Sequence, residues 1–126
     1  MCTNIYVTSY SLRNEATRGA NYAEFILGRV YRLKGQHFLR LVEDRLREGA
    51  NEDMFKNINN NIDSAVQMLG QAGIINLILI TQDKSLLPPQ KFLRDEYRLT
   101  IEALNRASPY KLLIMSYISE SYIRRN

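Results

Sequence analysis

The chain has 126 residues and a mass of 14.7 kDa, enough for one domain and too short for two independent cores. Hydrophobic residues make up 45% and charged residues 24%, a globular composition that excludes a disordered or low-complexity chain. Seventeen Lys and Arg against thirteen Asp and Glu leave a net charge of +4, too mild and too dispersed for a dedicated nucleic-acid binder.

One cysteine, Cys2, closes no intramolecular disulfide and offers no thiol cluster for zinc. One histidine, His37, leaves little for acid–base catalysis; it reads as a surface or capping residue at a helix start. The expectation is a protein without cofactor, metal or catalytic site. No signal peptide is legible, and the longest apolar run, Gly73–Ile80, is far short of the ~20 residues that span a bilayer. No transmembrane segment is therefore expected.

Residues 1–13 form an N-terminal arm ahead of a single domain at 14–126. Ile5 and Val7 alternate with other residues, which fits a short strand or an extended arm. Tyr22, Phe25, Ile26, Val30 and Leu33 then recur at three- and four-residue steps, one apolar stripe of a helix that Gly35 would stop. A second helix carries Phe38, Leu39, Val42 and Leu46 and stops at Gly49. Asn51-Glu52-Asp53 offers a cap, followed by Phe55, Ile58, Ile62, Val66 and Leu69, with a stop at Gly70.

From Gly73 to Ile80 the only polar side chain is Asn76. A buried strand would look similar, but no other segment offers a convincing partner, so this run reads as a helix surrounded by others. Thr81–Leu87 is a connection closed by Pro88-Pro89. Phe92, Leu93, Tyr97, Ile101 and Leu104 mark the next helix, and Ser108-Pro109 the capped start of the last, which runs from Tyr110 to about Ile123. The expected fold is all-α: a single-domain bundle of six or seven helices around a buried central apolar helix.

In Leu39-Arg40-Leu41-Val42-Glu43-Asp44-Arg45-Leu46 apolar residues fall at i, i+3 and i+7, with an aspartate at i+5. This segment resembles the death motif, the third homology motif, of the Bcl-2 family of apoptosis regulators. Two positions depart from it: Glu43 stands where the family prefers a small residue, and Gly35 where it prefers an apolar one. The turn Leu69-Gly70-Gln71-Ala72-Gly73-Ile74-Ile75 resembles the family's glycine-bearing entry into its central helix, with Gly73 as the close-packing glycine. The resemblance covers about Asn14 to Ile123 as topology and pattern, and is greatest to the trimmed, virus-encoded members.

That resemblance implies a Bcl-2-like inhibitor of apoptosis in the host cytoplasm, held at the mitochondrial surface only through partners. It would sequester the amphipathic death-motif helix of pro-apoptotic host proteins of the Bim, Bak or Bax types. The implied groove is lined by Leu39, Val42, Leu46, Phe55, Ile62, Val66 and Leu69, with Gly73 allowing close approach. Ile74 replaces the family arginine that meets the ligand's aspartate, so that either another cation reaches it, Arg45 and Arg47 being the nearest, or the choice of ligand is narrowed. An open apolar groove also invites self-association, so a homodimer is among the expected forms. The alternative, from another class, is a small structural or nucleic-acid-associated helical protein with basic faces.

Overall fold

A computed structural model describes the backbone of residues 2–125 and the side chains of residues 11–124. Three long helices follow one another: α1 (Cys2–Glu48), α2 (Glu52–Ile80) and α3 (Gln90–Arg125), with one 3-10 turn at Lys84–Leu86. The chain is an all-helical bundle in which α2 runs antiparallel to both neighbours and packs against each of them. Three helices replace the six or seven expected.

The breaks that do occur have local causes. Gly49 takes φ +90°, which an L side chain resists, and ends α1. Asn51 caps α2 by accepting a hydrogen bond from the Met54 amide at 3.2 Å, with Glu52 and Asp53 in the positive first turn. The Asp83 carboxylate accepts from the Ser85 amide, and its pKa is lowered first by that bond and then by the Ser85 hydroxyl. The Pro89 carbonyl accepts from Phe92 and Leu93 and starts α3.

The expected breaks at Gly35, Gly70 and Ser108-Pro109 are helix interior instead. Pro109 removes the donor that the Asn105 carbonyl would take, at a price of about 3 kcal/mol. The helix continues because Ala107 and Ile114, on either side of it, are both fully buried in one core. Residues 2–13, read as a strand or an extended arm, are also helical and belong to α1; the side chains of Ile5 and Val7 lie outside the described residues.

Gly35 is a packing residue. A Cβ there would lie 2.6 Å from Leu69 Cγ and 3.2 Å from the Ala65 carbonyl oxygen, so its missing side chain is what lets α1 close on α2. Gly35→Ala should therefore lose about 1–3 kcal/mol through overpacking, more than the ~1 kcal/mol of helix propensity it gains. Gly70→Ala, with nothing within 4 Å of its Cβ, should gain about 0.5–1 kcal/mol. Urea unfolding of the two variants checks the opposite signs.

Two apolar clusters fill the interior. One joins Leu39, Val42, Ile58, Ile62, Ala65, Leu69, Ala103, Ala107 and Ile114; the other joins Phe25, Leu79, Leu87 and Leu93. A polar layer separates them. Within it Glu96 accepts from Arg32 at 2.6 and 2.8 Å and from Arg29 at 2.8 Å, and Arg32 also donates to Gln36 at 3.0 Å. The Thr100 hydroxyl donates to the Glu96 carbonyl, while the buried Asn76 amide has no hydrogen-bonding partner among the described residues.

This layer reverses two expectations. The inward seam of α1 is Asn21, Phe25, Gly28, Arg32 and Gly35, whereas Tyr22, Ile26, Val30 and Leu33 of the expected core stripe face outward, 39–57% exposed. Glycines admit the neighbouring helix, and Arg32 is buried because Glu96 answers it. In Gly73–Ile80 the one polar residue, Asn76, points inward, while Ile74, Leu77, Ile78 and Ile80 are each more than half exposed. Only two helices cover α2, so its back stays bare. Read as one 29-residue helix, α2 is also long and apolar enough, by length and composition alone, to cross a bilayer. The eight-residue run considered from sequence is not.

Candidate functional site

The residues expected to line one groove separate into three settings. Leu39, Val42, Ile62 and Leu69 have no exposed surface and are core. Gly73 is buried too, with α3 close behind it: a Cβ there would meet Thr100 Cγ2 at 3.9 Å. The trough that these residues would form is filled by the chain's own helices. Leu46 and Val66 are half-buried and lean on the same core, while Arg45 and Ile74 stand at the surface.

Glu43 explains part of this closure. Its carboxylate accepts from Arg106 at 3.2 Å and from the Tyr110 hydroxyl at 3.1 Å, tying the Leu39–Leu46 segment of α1 to α3. Burial, then the bond to Glu43 and its charge, raise the Tyr110 pKa and keep the phenol protonated as donor. Asp44 pairs with Arg47 at 3.2 Å on the exposed side, a surface pair of the i, i+3 kind worth little to stability. Arg47 is thus engaged within α1 itself.

Phe55 is different. It lines two clefts, of about 340 and 400 Å³, where the start of α2 meets the end of α3. The first is walled by Phe55, Ile118, Tyr122, Asn59, Lys56, Glu52 and Ser121. The second shares Phe55, Glu52 and Ser121 and adds Ala50, Asn51, Tyr117, Glu120 and Arg124. Phe55 and Tyr117 stack with centroids 5.4 Å apart and planes 11° from parallel, which fixes the ring between the clefts. Lys111 bridges the helices just below, bonding Asn59 at 2.8 Å and Asp63 at 2.7 Å.

The arrangement is aromatic around the Phe55 ring and mixed in charge at its edges, with Lys56 and Glu52 in one cleft and Arg124, Glu52 and Glu120 in the other. Such a surface can seat apolar side chains of a partner against the aromatic rings and polar ones at the mixed-charge rim. Of these residues the sequence singled out Phe55 alone. Ile118 and Tyr122 lie one helical turn apart in a segment already read as helix, so their shared face was available as a signal.

His37 lies within α1 instead of at a helix start, edge-on to Phe38 with centroids 5.8 Å apart. It lines a shallow surface cleft with Leu33, Lys34, Phe38 and Met68. Among the described residues no group of three or more His, Cys, Asp or Glu side chains converges on a point. Comparison with protein-family models, with curated proteins and with solved structures finds no match to this chain.

Proposed function

We propose that the chain is a binding protein that captures an amphipathic helix in the paired clefts around Phe55 and performs no chemistry. The observation that carries this reading is the pair of open clefts that share the Phe55 ring as a common wall. A partner helix would set apolar side chains one turn apart on either side of the Phe55 ring, the helix-in-groove mode. Lys56 in one cleft and Arg124 in the other are the cations within reach of an acidic residue of that helix, the part first expected of Arg45 and Arg47. Glu52 and Glu120 beside them would favour a basic residue next to it.

On the death-motif resemblance of Leu39–Leu46, the partner is the corresponding helix of a pro-apoptotic protein of the Bim, Bak or Bax types. Its sequestration would inhibit apoptosis as a virus-encoded Bcl-2-like protein does. Leu39, Val42, Ile62 and Leu69 have no place in capture on this reading, because they are committed to the core.

Titration of labelled death-motif peptides should give saturable binding in the nanomolar to micromolar range. Phe55→Ala should weaken it at least tenfold, since it removes the wall common to both clefts. Binding of no peptide by the folded wild-type chain would remove the apoptotic partner. Binding indifferent to Phe55→Ala would move the site elsewhere.

A further inference from the structure

Ser108-Pro109 has the local chemistry of a helix start, yet it lies inside α3. Proline supplies no amide proton, and it biases the residue before it away from the α region. The Ser108 hydroxyl donates to the Leu104 carbonyl at 3.0 Å, a back-bonded form that bends helices. Both Ser108 and Pro109 are exposed. α3 is therefore most easily opened at this point, and what keeps it closed is the packing beyond it.

That packing is thin. Among the described residues from Tyr110 to Arg124, only Ile114 is buried. Further ties are polar or aromatic. Tyr110 donates to Glu43 of α1, Lys111 bridges to Asn59 at 2.8 Å and Asp63 at 2.7 Å on α2, and Tyr117 stacks on Phe55. Lys111 stands three residues after Ser108, a spacing at which helical side chains are neighbours.

We propose that Ser108 is a phosphorylation site for a proline-directed serine kinase, and that the phosphate releases the C-terminal half of α3 from α2. Ser108-Pro109-Tyr110-Lys111 gives such an enzyme the serine, the proline that follows it and a cation at the third place. Local opening at Pro109 presents these residues as the extended segment that a kinase cleft takes. The Ser108 Oγ attacks the γ-phosphorus of ATP and forms the new P–O bond. The bond from that phosphorus to the β-phosphate oxygen breaks, ADP leaves with the electron pair, and the hydroxyl proton passes to the kinase's carboxylate base.

A phosphoserine carries a charge of about −1.5 to −2 and three acceptor oxygens. One turn from Lys111, it draws that ammonium away from Asp63 and repels the carboxylate left behind. On the opened chain it also accepts from amides of the first turn after Pro109, where a helix N-terminus favours an anion. Both effects favour a break at Ser108. Arg106 lies two residues earlier, on another side of the helix, and keeps its pair with Glu43. The first half of α3 therefore stays docked.

Incubation of the full chain with a cyclin-dependent kinase, magnesium and ATP tests this. Mass spectrometry should show a gain of about 80 Da that maps to Ser108 and is absent from Ser108→Ala. Amides of residues 110–124 should then exchange hydrogen about tenfold faster than in the unmodified chain, with residues 93–104 unchanged. Pro109→Ala, which restores the missing amide donor, should take up phosphate more slowly. A folded wild type without phosphate at Ser108 would overturn the site, and equal rates for Pro109→Ala would overturn entry through Pro109. Phosphorylated Ser108 with unaltered exchange beyond it would overturn the release. Neither readout involves peptide capture at Phe55, so the two proposals fail independently.

Discussion

Glu96→Ala should lose about 3–5 kcal/mol of stability, because it leaves the buried Arg32 guanidinium without its counter-charge. Glu96 is 3% exposed and Arg32 9%. Arg29, whose side chain is 45% exposed, can turn to water when the carboxylate goes; Arg32 keeps only Gln36. The same carboxylate gives the fold an acid limb. Burial pushes the Glu96 pKa up, but the hydrogen bonds from Arg32 and Arg29 and their charges pull it down further, so it sits below its ordinary 4.5.

A carboxyl whose pKa is lower folded than unfolded contributes fully above the unfolded value and loses that contribution as pH falls through the folded one. The urea midpoint of the wild type should therefore drop as pH falls below 4.5, and that limb should flatten in Glu96→Ala. Parallel pH curves for the two proteins would mean that the Arg–Glu layer contributes no linkage.

The helical class and the turns at 49–51 and 81–89 were legible because they depend on local chemistry: a left-handed glycine, an Asn cap, a Pro-Pro pair. Helix continuity was not. Gly35 has the sequence appearance of a stop, and its packing role exists only once Leu69 lies opposite it. Pro109 likewise reads as a start until Ile114 is seen to be held in the core beyond it. The inward face of α1 was misread because periodicity counts apolar residues. Here glycines and a paired arginine face inward, while Tyr22, Ile26, Val30 and Leu33 face water. Phe55 was expected in a groove with Leu39, Val42, Ile62 and Leu69; it lines clefts with α3 residues instead, which join it only through tertiary packing.

Leu69→Ala and Ile62→Ala should each lose about 2–5 kcal/mol, the cost of an unfilled cavity in a close-packed core. Both residues have no exposed surface, and Leu69 also fills the space that Gly35 leaves open. These substitutions separate core from groove, because a side chain that lines an open trough leaves little cavity when truncated and affects ligand affinity first. Chemical denaturation and peptide titration on the same variants give the two readouts. The expected pattern is a large fall in the urea midpoint with peptide affinity unchanged wherever the variant remains folded. Loss of affinity at nearly wild-type stability would mean that the helices part to expose Leu69 and Ile62. The segment around Leu39–Leu46 would then serve as a groove wall only in that opened state, and capture would have to supply the free energy of opening.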